Sequence, residues 1–247
     1  MAISIFRVHA DDRHHVGSSG SMSMTAAIVF ARGTAYLMGA ANGKEAMGVS
    51  REQAAENKRA IIAAAEKLFR GRGADAVGLD EVMKAAGFTP GGFYNHFASK
   101  EALIAAVMDK AMESGSADFV AAVEGASAKG VDPLEQQIEW YLSAGHRAGI
   151  DTGCPLSGFA GDVRRLGERA RTAYARGLAS NLRRLENLVD VSGSDADEGA
   201  RRGKAIALFS EMVGALLLSR AVADADPALS DEILESGRAH LRRAIGA

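Results

Sequence analysis

Between Thr89 and Lys100 the chain reads TPGGFYNHFASK, a run that gathers two glycines, an asparagine, a histidine and three carbocyclic aromatic rings. At about 100° per residue on a helix, Phe93 and Phe97 fall about 40° apart and define one apolar edge that must face a core. The side opposite carries Gly91, Gly92 and Asn95, with Tyr94 and His96 flanking it. An asparagine amide offers a donor and an acceptor side by side, the pattern that pairs bidentately with adenine in the DNA major groove. Tyr94 and His96 would then reach the phosphate walls, and Lys100 with the helix N-terminus at Ser99 would hold a further phosphate. Each glycine costs a helix about 0.8–1 kcal/mol relative to alanine. The compensation inferred is close backbone approach to a large, flat-sided target. Thr89 is suited to cap this helix, and Pro90 to sit at its first position, where the missing N–H is no loss.

Elements on either side would position that segment. Leu79, Val82, Met83 and Ala86 fall at helical spacing and are followed by Gly87, the residue type of a left-handed helix stop. Ser99 then caps a longer helix that Lys100, Glu101, Leu103, Ile104 and Val107 carry forward. Upstream, Ser50 with Gln53 forms a capping box for a helix through Ile61, Ile62, Ala65, Leu68 and Phe69, ended by Gly71 and Gly73. Its stripe of Ile61, Ala65, Leu68 and Phe69 is expected to pack on Val82, Phe93 and Phe97. Helix, glycine turn and short capped helix make a helix-turn-helix.

The run GFTPGGFYNHFASKEAL resembles the DNA-binding signature of the TetR family of bacterial transcriptional regulators, and AAAEKLFRGRGADAVGLDEV is similar to that family's first helix and following turn. The resemblance spans residues 57–107. It implies an all-α protein in which a three-helix helix-turn-helix domain, residues 48–98, precedes a helical ligand-binding and dimerisation domain, residues 99–247. It also implies a homodimeric repressor that sits on a pseudo-palindromic, double-stranded operator and is released by a small-molecule effector. Lys58 becomes a phosphate contact by the same resemblance.

Composition narrows the classes. Among 247 residues, 29 Lys and Arg against 31 Asp and Glu leave a formal charge of −2, so no global basic field coats nucleic acid. One cysteine, Cys154, cannot form an intramolecular disulfide and fits a reducing, cytoplasmic setting. No apolar run is expected to reach the about eighteen residues of a membrane span. Phosphate loop, dinucleotide fingerprint, Gly-x-Ser-x-Gly element and metal-ligand spacing are all missing from the sequence, so neither cofactor, metal nor enzymatic activity is expected.

Residues 1–47 differ in character. GSSGSMSM at 17–24 is small and polar, and the apolar core at 26–31 is too short for a secretory signal. His9, Asp11, Asp12, His14 and His15 lack a scaffold and read as a solvated tail instead of a metal cluster. Met22, Met24, Met38 and Met47 each offer another start, so the segment is expected to be a disordered extension or to precede a native start near Met47.

Beyond Ser99, helices are expected to about Ala126, from Asp132-Pro133, over residues 156–163, 168–189 and 200–223, and from Ser230 onward. The penultimate one is apolar on two faces, with Leu208, Met212 and Leu218 on the second, and needs a partner for one of them. Phe209, Met212, Val213, Leu216 and Leu217, with Leu241 and Ile245 of the last helix, are expected to form the dimer interface, a four-helix arrangement as in TetR-like dimers. An effector pocket, implied by the resemblance, would draw on Met112, Phe119, Trp140 and Tyr141, together with Cys154, Phe159 and Tyr174. Cys154 lies in a break before a helix N-terminus, where a thiolate is favoured, and reads either as a modification sensor or as an inert apolar residue. Two further alternatives stay open: control of the regulator through a protein partner, and a helical hydrolase built on Cys154, His146 and Asp151.

Overall fold

Strong helix formers fill the chain from Ala54 to Leu68, and α1 runs unbroken over Gly43–Arg72. The computed structural model describes residues 43–189 and 198–246, so the expectations for residues 1–42 lie outside the described residues. The described residues from 49 onward belong to one compact unit. Ser50 does not open α1, because the helix already runs through it. The Gln53 amide donates one turn onward to Asn57 Oδ1 at 2.9 Å instead of reaching back to a cap. Gly73, at φ +83°, ends the helix with its N–H on the Phe69 carbonyl at 2.8 Å.

Helix α2 (Leu79–Ala85) stops at Gly87, whose φ of +84° is the left-handed turn expected there. The N–H of Phe88 then closes onto the Met83 carbonyl at 2.8 Å. The next element departs from expectation: Pro90–Asn95 is a 3-10 helix, not an α-helix, and Thr89 stands at its N-cap position without a side-chain capping bond. A segment this short, carrying proline and two poor helix formers, closes with tighter three-residue bonds, Gly92 N–H to Thr89 O at 3.1 Å and His96 N–H to Phe93 O at 2.9 Å. Its anchoring is as expected, with Phe93 and Phe97 both buried, their ring centroids 5.8 Å apart.

Ser99 Oγ accepts the Ala102 N–H at 3.2 Å and opens α3 (Lys100–Ala128). Asp132 Oδ1 caps α4 (Pro133–Tyr141) by accepting from Leu134 and Glu135 at 2.7 and 3.2 Å. Two five-residue helices follow, α5 (Ala144–Ala148) and α6 (Pro155–Phe159), then a 3-10 turn at Val163–Arg165 in place of one helix to 163. Helix α7 (Glu168–Leu188) and α8 (Glu198–Val222) match their expected spans to within two residues. Helix α9 (Pro227–Ile245) begins earlier than expected, capped by Asp226, whose Oδ1 accepts the Leu229 N–H at 3.0 Å. Ser230 serves differently. It is buried and exchanges bonds with Ser219, each hydroxyl donating to the other residue's carbonyl, at 2.8 and 2.9 Å, which ties α9 to α8.

Helix α3 packs on α4 and α7, α7 on α8, and α8 on α9, and one apolar cluster continues from Ile61 and Phe69 through Leu103 and Leu185 to Leu216. No strand occurs among the described residues. Two sequence expectations need correction in α8. Residues Gly199–Val222 are long and apolar enough to cross a membrane by length and composition, with a mean hydropathy of 1.7. Packing of α8 against α4, α5, α6, α7 and α9 accounts for one apolar face. The two faces are also assigned differently from expectation. Phe209, Met212, Leu216 and, on α9, Leu241 are buried within their own chain and have little area left for a partner, while Ile206, Leu217 and Leu218 are exposed.

Candidate functional site

The segment from Thr89 to Asn95 presents an outward surface. Thr89, Pro90, Gly91, Tyr94 and Asn95 are exposed, and Tyr94 is 72% so while its ring leans edge-on against buried Phe93 at 5.2 Å. Burying one ring and exposing its neighbour follows from the 3-10 twist of about 120° per residue. A Cβ added at Gly91 would meet nothing within 4 Å, and one at Gly92 only the Met83 methyl at 3.6 Å. Neither glycine is demanded by the fold itself. His96 is half-buried, its ring 6.2 Å from Phe88. Lys58, exposed on α1, holds its ammonium 5.1 Å from the Phe97 ring centroid. Lys100 Nζ makes only a long 3.5 Å bond to the Asp75 carbonyl, so both lysines flank the exposed surface with little to restrain them.

A cavity of about 310 Å³ opens between α3, α4, α7, α8 and the loop before α6. Four of the expected pocket residues line it: Phe119, Trp140, Tyr141 and Cys154. Met112 lines a smaller recess that shares Cys154 and Asn181 with it. Phe159 lines neither, being buried beneath the Arg70 guanidinium, 5.7 Å from its ring centroid. Tyr174 also stands apart, its hydroxyl donating to the Leu156 carbonyl at 2.7 Å and so holding α6 in place. Gln137, Asn181, Leu185, Phe209 and Met212 are among the further lining residues that were not expected there. For two of them a signal existed: Gln137 and Asn181 are amides set among the apolar registers of α4 and α7.

His146 organises the loop side of the cavity. Its Nε2 accepts the Cys154 backbone N–H at 2.9 Å, which fixes the tautomer and makes Nδ1 the donor to the Tyr141 carbonyl at 2.8 Å. The ring stacks on Trp140 at 4.3 Å. Burial lowers its pKa from 6.5 to about 4, with a smaller contribution from the Arg220 and Arg70 guanidiniums, against the opposing Tyr141 bond. Gly153 must be glycine here, since a Cβ would sit 2.5 Å from the imidazole. The hydrolase arrangement therefore lacks its base: the imidazole lone pair is engaged by a backbone N–H, and Asp151 pairs with Lys67 at 3.2 Å instead of orienting His146. The break is no thiolate-favouring helix terminus either, because α6 is a single turn.

The same loop is gripped from α1. Arg70, buried near the end of α1, donates through Nη1 to the Gly153 carbonyl at 2.7 Å and to the Asp151 carbonyl at 3.3 Å, and pairs with Glu66 at 2.9 Å. Arg220 of α8 holds the opposite side, donating to the His146 and Arg147 carbonyls at 2.6 and 3.1 Å. One wall of the cavity is thus bonded directly to α1, the helix whose core residues pack with those anchoring the exposed Pro90–Asn95 turn.

Comparison with known proteins agrees with this layout. Residues 61–107 match the family model described as bacterial regulatory proteins, tetR family. The HTH-type transcriptional regulator UidR of Escherichia coli (strain K12) is 29% identical over 96 residues, covering 39% of this chain and 46% of that protein. The chain thus spans about half the length of the curated relatives it matches. Among solved structures, a TetR transcriptional regulator from Chloroflexus aurantiacus superposes with a TM-score of 0.65 at 21% identity, covering 79% of this chain and 96% of that one. Escherichia coli NemR in its reduced form gives 0.62 at 23% identity, covering 77% and 98%. Residues 61–107 thus match the tetR family of bacterial regulatory proteins at the helix-turn-helix, and the described helices share the fold of such regulators.

Proposed function

We propose that the protein is a cytoplasmic, homodimeric DNA-binding repressor that a small molecule releases from a pseudo-palindromic operator. Residues 48–98 are the reading head and residues 99–247 the ligand and dimer domain. The observation that carries this reading is the outward surface of the Pro90–Asn95 turn, bare at Gly91 and anchored from behind by Phe93 and Phe97. Asn95 reads a base edge, and Tyr94, His96, Lys58 and Lys100 hold phosphates, while Thr89, Pro90, Gly91 and Gly92 bring the backbone close to the groove. UidR, described as an HTH-type transcriptional regulator, supports it.

The dimer follows from the uncovered face of α8. Ile206, Leu217 and Leu218 are exposed at 43, 36 and 62%, with Ala207 and Ala221 along the same stripe. A stripe this apolar needs a partner, and a second copy supplies two reading heads at a fixed spacing. Val213, Leu217 and Ile245 remain in the proposed interface, Ile206 and Leu218 join it, and the four residues buried in the chain leave it. A cavity of about 310 Å³ favours a small-molecule effector over control by a protein partner, for which a closed interior would suffice. Occupancy shifts the loop at 151–154, Arg70 passes the shift to α1, and the spacing of the heads no longer fits the operator.

The test is fluorescence anisotropy with duplexes from the region upstream of the gene. Tyr94→Ala is expected to weaken binding to every sequence, and Asn95→Ala to change base preference, by about 1–3 kcal/mol at the adenine it reads. Unchanged affinity and preference in both variants overturns the reading.

A further inference from the structure

Helix α1 continues past the core it serves. Its buried stripe runs through Phe69, Ala65 and Ile61, with Ile62 half-buried beside them. Seven residues make nearly two full turns, so at about 100° per residue Lys58 stands about 20° from Ala65, and Arg51 about 20° from Lys58. The line that is buried from Ile61 onward is thus carried outward by Lys58, Ala55, Ala54 and Arg51, all of them exposed. The other side of the same turns holds Glu52, Gln53, Glu56 and Arg59, and there Arg59 is paired with Glu56. A helix leaving its core ordinarily mixes its charges on every side. Here the side that faced the core keeps two alanines and two cations, and both carboxylates lie away from it.

Lys58 marks what that side looks toward. Its ammonium is 5.1 Å from the centroid of Phe97, one of the two rings that anchor the Pro90–Asn95 turn from behind. Arg51 lies about 10 Å further along the axis, at about 1.5 Å per residue, and makes no hydrogen bond or ion pair among the described residues. Phosphate charges on a duplex recur about every 1.7 Å of its axis, so this offset is enough for Arg51 to take a different phosphate from Lys58. Alanines between the two cations leave room for a close approach, and the charge favours a polyanion over an apolar or like-charged occupant. Arg51 also precedes the residues 61–107 that match the family model.

We propose that the face of α1 carrying Arg51, Ala54 and Ala55 lies along the sugar-phosphate backbone of the operator, with Arg51 holding a phosphate beyond the one assigned to Lys58. The proposal rests on the DNA-binding reading above and extends its contact surface by nearly two turns of α1. A phosphate carries no base identity, so this contact adds affinity and register without sequence preference.

The test is the salt dependence of operator binding, measured by fluorescence anisotropy with the full chain between about 50 and 200 mM salt. Each phosphate neutralised by a cation adds about 0.9 to the slope of log K against log salt concentration. Arg51→Gln is expected to lower that slope by about 0.9 for each reading head engaged, about 1.8 for a dimer on both half-sites. It is expected to weaken the operator and an unrelated duplex by the same factor. Arg51→Lys restores the slope, because a phosphate accepts either cation. Arg59→Gln removes the same charge from the opposite side and is expected to leave the slope unchanged. All three variants are expected to melt with the parent, since neither arginine is buried. An unchanged slope in Arg51→Gln, an equal drop in Arg59→Gln, or an altered base preference would each overturn the proposal. A change in the sedimentation of Arg51→Gln without DNA would assign the face to a second copy and overturn it as well. A parent that binds no duplex removes the DNA-binding reading too, whereas a parent that binds with a slope indifferent to Arg51 loses this contact alone.

Discussion

Arg70→Met tests whether the cavity wall and the reading head are mechanically joined. The substitution keeps a long unbranched stem and removes a guanidinium that makes three polar contacts, to Gly153 O at 2.7 Å, Asp151 O at 3.3 Å and Glu66 at 2.9 Å, and lies over the Phe159 ring. A bond from a charged donor contributes about 1.5–3 kcal/mol, and the 3.3 Å contact belongs at or below the bottom of that range. Glu66 loses its strongest stabilising neighbour, and its carboxyl, already raised by burial, rises further. Against these losses, methionine escapes the desolvation that lowers the Arg70 pKa, and the unpartnered Nε disappears. The balance is a loss of about 2–4 kcal/mol, or roughly 4–16 °C in Tm for a unit of this size.

Loss of stability alone would not establish coupling, so the assay also reads the loop. Cys154 sits within the gripped segment, half-buried, and its alkylation rate by iodoacetamide reports loop opening. Coupling is reciprocal: if the loop biases the reading heads, operator DNA must bias the loop. In the parent protein, saturating operator duplex is expected to change the Cys154 alkylation rate by a factor of about 5 or more, the lower end of ordinary coupling energies. In Arg70→Met the rate without DNA is expected to rise and the DNA effect to vanish, with operator affinity kept within several-fold because the Pro90–Asn95 surface is untouched. An unaltered Tm, or a DNA effect that survives the substitution, refutes the connection.

Gly91→Ala is expected to raise Tm slightly, by about 0.4–1 kcal/mol of stability, since its methyl meets nothing, yet to weaken operator binding at least ten-fold; wild-type affinity would remove the glycine from the DNA surface. Leu218→Glu places a carboxylate on the uncovered α8 stripe and is expected to shift sedimentation toward monomer, so a persistent dimer would move the interface elsewhere. His146 titrates at about 4 in the folded protein against 6.5 unfolded, so the unfolded chain takes the proton first. Its contribution is therefore complete above pH 6.5 and lost as pH falls to about 4, about 3 kcal/mol in all. His146→Gln is expected to flatten the denaturant midpoint over that window, and an unchanged slope would mean that other groups govern it.

What the sequence made legible was local. Gly87 and the caps at Ser99 and Asp132 are decided by bonds spanning two to five residues, and the burial of Phe93 and Phe97 by one turn of spacing. The reading turn came out 3-10 because anchoring by two rings tolerates either rotation, and period alone does not separate them over six residues. At α9 two plausible caps compete, and Asp226 with Pro227 behind it wins because Ser230 is taken by Ser219 on another helix. For α8, apolarity on both faces announced a partner without saying which face had one already. Tertiary packing made that choice, and it reversed the assignment of Met212 and Leu218.

Arg70 was invisible for a deeper reason. Its partners at Asp151 and Gly153 are backbone carbonyls 81 and 83 residues away, and a carbonyl leaves no mark in composition or charge pattern. A carboxylate partner would have been easier to notice and would serve worse. Pairing with main-chain oxygens ties the guanidinium to the path of the loop, so any displacement of the backbone at 151–153 must either carry Arg70 along or strand a buried cation. The loop has little freedom to yield otherwise, because Gly153 is pressed against the His146 ring and Cys154 N–H is bound to its Nε2. A ligand that opens the cavity by moving this wall therefore acts on α1 through a contact that cannot be relaxed locally, and that contact makes a two-state response of the reading head more favourable than a graded one.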